Sequence, residues 1–558
     1  MKPIFPIAFA LCSFTSAATQ APDTFIGTQE PFAQEAVYFA LTDRFVDGDP
    51  TNNHENQGKD MYEGKWFSFN RPLKGPDGQE ANVGYLGGDL QGVLNNADYI
   101  KAMGFTSIWL TPIWDNPDQA FSGGETITYA GGYKDGGKTG YHGYWAHNFY
   151  QADEHLVSDN LSFADFTQQL KQKGLKFVLD IVANHGSPSY SMPTDQPQFG
   201  ELYDAKGNVV ADHQNLSPED LSDDNPLHEF YNRKPGLAQL SDINENSDAA
   251  YDYLLGAYRF WLKQGVDAIR IDTIKEMPHH FWQRVSKDIR KDYPGMFMFG
   301  ESYSYDANFI AEHTYPQNGG VSVLDFPGRL AITGVFESAE SDYADILSYL
   351  HLDSGVYQNP YELMTFYDNH DMARMNATDA GFINANNWLF TSRGIPVIYY
   401  GSEINFMTGK PEHEGNRNYF GQANVDIAKT HPIQQNLTRI ANLRKATPAL
   451  QRGLQLNLTF SGNVASFYRV LQHESTTQTA LVVLNKGEQA THVTFDSLLN
   501  QGDWQDAFSG DSVTVVEGQP LTVDVPENGV RVLLFNQPLS NPELLQKLRA
   551  LQQAALRS

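Results

Sequence analysis

Eight short apolar runs, at residues 36–41, 107–110, 177–182, 266–271, 296–299, 321–324, 363–367 and 396–400, constrain this chain more than any other feature. Runs of this length, rich in β-branched and aromatic residues, read as strands buried on both faces. Helix-like stretches lie between most of them, for example 163–173 and 249–263, the latter opening after Ser247-Asp248 as an N-cap signal. Strands alternating with helices imply parallel pairing, and eight of them imply a closed (β/α)8 barrel of the TIM type. Such a barrel absorbs roughly 250 residues, so a 558-residue chain has room for more. The gap between the third and fourth runs, 186–242, is rich in Asp, Asn, Pro and Gly, and is too long for a loop. It is expected to be an inserted subdomain.

Beyond about residue 448 the pattern changes to short alternating runs at 465–470, 480–484, 492–495 and 531–535, separated by Gly, Asn and Asp. This predicts a C-terminal antiparallel β-sandwich domain. The last stretch carries Leu544, Leu545, Leu548, Leu551 and Leu556 at helical spacing, and a helix there is expected to pack on a neighbouring domain. The expected divisions are therefore 22–185 and 243–448 for the barrel, 186–242 for the insertion, 449–540 for the β domain and 541–558 for the terminal helix.

At the start, Lys2 precedes an apolar run at 4–14, and Ser16-Ala17-Ala18 offers a cleavage site, which reads as a signal peptide over 1–18. The run is too short to span a bilayer, and no later stretch qualifies. Cys12 is the only cysteine, so the processed chain would hold no disulfide. Leu11 before it argues against a lipoprotein. Export, periplasmic or extracellular, is the expectation. A net charge of −28 disfavours nucleic acid and anionic membranes as partners and suits a neutral or cationic substrate. A monomer is expected.

Catalytic groups of such barrels sit where strands end. The run 266–271 continues as Asp272-Thr273-Ile274-Lys275-Glu276, placing Arg270 and Asp272 on one facing of a strand. A carboxylate beside a fixed cation should have a lowered pKa, which suits a nucleophile; alone, this would equally be a structural ion pair. Other strand ends, however, offer Asp180 to His185, Gly300-Glu301 and Asp368-Asn369-His370-Asp371. So many ionisable groups at one mouth would cost stability without a functional return.

In order and wording these segments resemble the α-amylase family (glycoside hydrolase family 13). The resemblance extends from Tyr38 into the C-terminal β domain, and four motifs in the family's order are highly specific. It implies a catalytic barrel (domain A), a domain B inserted after strand three and a β-sandwich domain C. It also implies a retaining α-glucan hydrolase: Asp272 as nucleophile, Glu301 as general acid/base and Asp371 as the third carboxylate. Arg270 would orient Asp272, His185 and His370 would bond the hydroxyls of the sugar before the scissile bond, and Lys275 would reach the sugar after it. In the segment Gly140-Tyr141-His142-Gly143-Tyr144-Trp145, Tyr144 matches the family's stacking platform, with His142 and Trp145 beside it. Tyr303 and Arg374 are further subsite groups.

Asp47-Gly48-Asp49-Pro50-Thr51-Asn52-Asn53 alternates side-chain oxygens in a tight turn, as a hard cation requires, although Asx-rich turns do the same without metal. The run resembles the N-terminal calcium loop of cyclodextrin glycosyltransferases, with Gly87-Gly88-Asp89 as its downstream partner. A second Ca2+ site is implied from Asn184, Asp242 and the backbone oxygen of Glu276, where the family usually has His. Three readings follow: an exported hydrolase of starch or maltodextrin; a transglycosylase or a cyclomaltodextrinase- or α-glucosidase-type relative; and a non-catalytic glucan binder, which would typically have lost a carboxylate. Against the transglycosylase stands the short reach of the chain beyond domain C. The loop 121–140, with six Gly between Gly123 and Gly137, is expected to be mobile and to shape the distant subsites.

Overall fold

The computed structural model describes residues 23–58, 67–188 and 195–555. The expected signal peptide, with Cys12, lies outside the described residues, as does Leu556.

Eight parallel strands form one sheet: β1 (Val37–Ala40), β2 (Ser107–Leu110), β3 (Lys176–Ile181), β4 (Ala268–Ile271), β5 (Phe297–Gly300), β6 (Ser322–Val323), β7 (Met364–Thr365) and β8 (Ile395–Tyr399). Each falls within or against one of the eight apolar runs. Their order, β6-β5-β4-β3-β2-β1-β8-β7, brings the two ends together, and a parallel bridge from Leu324 to Met364 closes the ring. The sheet is thinnest at β6 and β7, which have two residues each. The barrel interior is packed with aromatic rings; Phe39 and Trp109 stack at 3.7 Å between centroids.

Outer helices cover the sheet. The helix Asp248–Leu262 begins where expected, because the Ser247 hydroxyl accepts the Ala250 N–H at 3.1 Å. It buries Leu254, Leu255, Tyr258 and Trp261 against the barrel. Between β3 and β4, the antiparallel pair His185–Pro188 and Leu240–Asp242 forms the root of the insertion, and a small hairpin, Glu201–Tyr203 with Val209–Asp212, lies within it.

The C-terminal region holds β9 (Leu454–Ser461), β10 (Val464–His473), β11 (Thr476–Asn485), β12 (Thr491–Phe495), β13 (Gly502–Asp506), β14 (Ser512–Val515), β15 (Leu521–Val525) and β16 (Gly529–Phe535). Six of these form one antiparallel sheet in the order β9-β10-β11-β16-β13-β14, and β12 pairs with β15 separately. The helix Asp379–Thr391 is buried between barrel and sheet, so Trp388 meets Phe467 at 5.6 Å. Arg469, fully buried, donates to the carbonyls of Thr391 and Ser392 at that helix's C-terminal end. The terminal helix Pro542–Ala555 buries Leu544 and Leu548. It also holds the beginning of the described chain, with Gln552 accepting from Ile26 N–H and Arg549 paired with Asp23.

Candidate active site

Every carboxylate of interest hangs from a strand end, and the backbone sets their spacing. Arg270 lies in register with Asp180 on β3 and Phe299 on β5. The Asp272 N–H donates to Ile181 O, the Glu301 N–H to Ile271 O and the Ile274 N–H to Glu301 O. The loop after β4 and the loop after β5 are thus stitched to each other immediately beside Asp272 and Glu301. Thr273, which follows Asp272, has φ 43°, an uncommon left-handed conformation for a β-branched residue. Its hydroxyl donates to Asp272 Oδ2 at 3.1 Å.

Arg270 is the organising cation. It is wholly buried, and its guanidinium reaches Asp180 Oδ1, Asp272 Oδ1 and Glu301 Oε2, each at 2.8 Å. Asp180, which the sequence placed at a strand end without a role, also accepts from Trp109 Nε1 at 2.9 Å and the Tyr144 hydroxyl at 3.0 Å. Burial pushes its pKa up to about 7, with Arg270 opposing and Asp272 adding to the rise. Burial likewise raises Glu301 well above the ordinary carboxylate range; Arg270 opposes this, while Asp371, Asp272 and Asp180 reinforce it. The arrangement favours the neutral acid form of Glu301 over the carboxylate.

Asp371 is 30% exposed and accepts from Arg417 Nη2 at 2.6 Å. His370 Nε2 lies 3.3 Å from its other oxygen. The His370 ring is buried and stacks on Tyr144, with centroids 5.4 Å apart. His185 Nε2 is 3.9 Å from Asp272 Oδ2. Burial lowers the pKa of His185 and, more strongly, of His370 and His142, which keeps these imidazoles neutral. Asp272, Glu301, Asp371, Arg270, His185, His370 and Tyr144 therefore gather at one mouth.

The other expected site residues are placed less uniformly. His142 Nδ1 accepts from Tyr144 N–H at 3.1 Å, and its ring meets Trp145 edge-on at 4.8 Å. Both are nearly buried, and Trp145 joins Phe121 and Phe199 in a satellite apolar cluster. Lys275 Nζ donates to Tyr303 O at 3.1 Å. Tyr303 is 37% exposed and packs on Phe326. Arg374 corrects the expectation for it. Its guanidinium is buried, donates to Asn416 O and Tyr400 O, and lies 4.3 Å over the Tyr399 ring. The cation on Asp371 is instead Arg417, on the segment following β8. Its position after a barrel strand was the available signal, but it lies well beyond the strand's end.

A family model described as alpha amylase, catalytic domain, matches residues 39–449. The chain belongs to the α-amylase family. Among its relatives, this family member is 29% identical over 95% of its length to a cyclomaltodextrin glucanotransferase of Klebsiella oxytoca, covering 82% of that protein. It is 29% identical over 89% of its length to an alpha-amylase of Niallia circulans, covering 90%. A solved cyclomaltodextrin glucanotransferase with a three-domain ABC distribution superposes with a TM-score of 0.71 at 28% identity, over 90% of this chain and 99% of that one.

In this α-amylase-family chain, the proposed metal loop passes a test of its own. Asp47 Oδ1, Asn52 Oδ1 and Asn53 Oδ1 are buried oxygens with no hydrogen-bond donor. Orphaned acceptors of this kind fit a hard cation. Gly87 has φ 91°, and a Cβ there would lie 2.5 Å from Asn53 Oδ1. Asp89 and Asp49 stand differently. Both Asp89 oxygens are occupied, Oδ1 by Gly48 N–H and Gly92 N–H, Oδ2 by Asp49 N–H and Asn52 Nδ2. Asp49 caps its own turn through Thr51. At the second expected site, Asp242 Oδ2 accepts from Asn232 Nδ2 at 2.8 Å, and Asn184 lies beside His185. Among the described residues, Asp153, Glu154 and His155 form a further compact ligand-type cluster, but Asp153 is already bound by His155, Tyr85 and Asn116.

Proposed function

We propose that this chain is an exported enzyme cleaving α-1,4-glucosidic bonds of starch or maltodextrins with retention at the anomeric carbon. The observation that carries the reading is the sharing of one buried guanidinium by Asp272 and Glu301, with Glu301 held protonated beside Asp371. Retention needs a nucleophile and an acid/base close enough for a glycosyl ester to form. Asp272 attacks C1 while Glu301 gives its proton to the departing glycosidic oxygen. The Glu301 carboxylate then takes a proton from water, which attacks C1 and releases Asp272. Asp371, fixed by Arg417, holds ring hydroxyls and favours the distorted ring. The neutral imidazoles of His185 and His370 bond hydroxyls, and Tyr144 packs on the apolar sugar face. Lys275 and Tyr303 serve the sugar after the bond; His142 and Trp145 support the platform from behind.

The reading includes calcium held by Asp47, Asn52 and Asn53, where it would tie the loop together by supplying charge that the orphaned oxygens lack. Glu276, Asn184 and Asp242 would supply a second site. Export rests on the composition of residues 1–18, and division into barrel, insertion and β domain follows the ranges given above.

A second reading is favoured by a specific observation. Several relatives are named cyclomaltodextrin glucanotransferases, and a solved one has a three-domain ABC distribution, so that arrangement is compatible with transglycosylation. The two readings share the glycosyl ester and differ in whether water or a sugar hydroxyl accepts it. Incubation with soluble starch, with products followed by chromatography and Asp272→Asn as control, separates them. Linear maltooligosaccharides released as α-anomers, absent with the variant, support hydrolysis. Cyclic or elongated products support transfer. No turnover of starch, maltooligosaccharides or cyclodextrins by the folded protein refutes both.

A further inference from the structure

The glycine-rich loop 121–140 is anchored where its composition promised freedom. Its two limbs pair, with Phe121 N–H donating to Lys138 O, Ile127 N–H to Gly136 O and Gly136 N–H to Glu125 O. Its far side is fastened to the segment that follows β8. Ala130 N–H donates to His413 O, and His413 Nδ1 lies 2.8 Å from Gly131 O. That segment is in turn fastened to the catalytic loop after β7, since Arg417 Nε donates to His370 O and Asn416 Nδ2 to Asn369 O.

One line of buried charge runs through these joints. Lys138 Nζ is 3.3 Å from Glu412 Oε1, the same oxygen is 2.8 Å from Arg417 Nη1, and Arg417 Nη2 is 2.6 Å from Asp371 Oδ1. Lys138, Glu412 and Arg417 side chains are 8%, 15% and 7% exposed, so each depends on its neighbours for its charge. Asp135 on the loop also pairs with Lys138, at 3.2 Å. At the loop's tip Tyr133 is 88% exposed, the most exposed large hydrophobic residue among those described, yet its phenol is within electrostatic reach of Asp371, Glu412, Arg417 and Glu301. An aromatic ring displayed in water at the tip of a loop anchored to the segments around Asp371 gains nothing from burial in the fold.

We propose that Lys138 and Glu412 form a latch that seats loop 121–140 against the Asp371 side of the mouth, so that Tyr133 becomes a wall selecting the length of glucan chain held productively. The inference rests on the α-glucan reading above. Lys138 and Glu412 are positioning residues: they act on the substrate through Tyr133, while Arg417 stays held by Asp371 and the His370 carbonyl.

The test compares kcat/KM for maltotriose and maltoheptaose in wild type, Lys138→Met, Lys138→Arg and Tyr133→Ala, with Tm alongside. Lys138→Met is expected to lower the maltoheptaose value by roughly 10- to 100-fold while changing the maltotriose value less than about threefold, because it misplaces a wall and not the reacting groups. Lys138→Arg, which keeps the charge, restores the preference. Tyr133→Ala reproduces the chain-length effect with an unchanged Tm, and decides the matter if Lys138→Met does not fold. Equal losses on both substrates, or an unaltered preference in Tyr133→Ala, overturn the latch. A wild-type protein inactive on every α-glucan overturns the functional reading instead.

Discussion

Gly300 immediately precedes Glu301, and a Cβ placed on it would lie 2.6 Å from Ile274 Cδ1 and 2.8 Å from both Ile274 Cβ and Cγ2. Carbon atoms pack at about 3.5–4.0 Å, so Gly300→Ala demands an opening of about 0.7–1.4 Å. The stiff root of a β-branched side chain cannot supply this by changing rotamer. Ile274 is fully buried, its N–H donates to Glu301 O and its carbonyl accepts from Trp282 Nε1. The displacement must therefore separate the loop carrying Asp272 from the loop carrying Glu301. Overpacking of this size costs about 1–3 kcal/mol of stability. A displacement near 1 Å in the reacting groups costs about 10²-fold in rate, or about 2.7 kcal/mol of transition-state stabilisation. The expected variant is folded, melts a few degrees lower, and shows kcat on maltooligosaccharides reduced by about two orders of magnitude with a smaller change in KM. Circular dichroism melting and steady-state kinetics measure both. Unchanged kcat with an unchanged Tm would show that the two loops do not need the contact that stitches them, and would refute the reasoning.

Three other outcomes are expected. Activity should fall as pH rises through the raised Glu301 pKa, because the acid is then lost; Asp371→Asn removes a charge that raises it, so the basic limb of residual kcat/KM against pH should move to lower pH. Glu154, pushed up to about 8 by burial and then by Asp153 and Asp115, stabilises the fold at low pH and loses that contribution as pH rises from the ordinary carboxylate range through about 8. Ionising it costs stability, so Glu154→Gln should match wild type in Tm at pH 5 and exceed it at pH 9; equal melting at pH 9 would count against this account. Excess EDTA should lower Tm, by the equivalent of about 2.7 kcal/mol if calcium had stood at a hundred times its Kd, and Asn53→Ala should abolish the EDTA effect.

The sequence alone determined the barrel. Strands buried on both faces must be continuously apolar, and eight such runs alternating with helices leave few alternatives to a closed ring. It also pointed to the loops that carry the carboxylates, because Asp272 and Glu301 directly follow their strands and His370-Asp371 lie five and six residues past β7, where chain order and spatial order still coincide. The C-terminal sheet was legible in class, though β9, β13, β14 and β15 were missed; in β15, Leu521, Val523 and Val525 alternate with exposed residues, a weak periodicity over five positions. What the tertiary structure decided were the charges facing these residues. Asp180 and Arg270 meet across β3 and β4, while Arg417 reaches Asp371 over 46 positions and Lys138 reaches Glu412 over 274. Periodicity along the chain says which side of an element is buried, but says nothing about which buried cation answers which carboxylate. For the same reason Arg374, three residues from Asp371, was the natural candidate from sequence and is turned onto backbone carbonyls, while in the expected metal loop Asp47, Asn52 and Asn53 present orphaned oxygens and Asp49 and Asp89 serve as caps. Pairing among buried charges is settled by where elements meet, and that is a property of the fold as a whole.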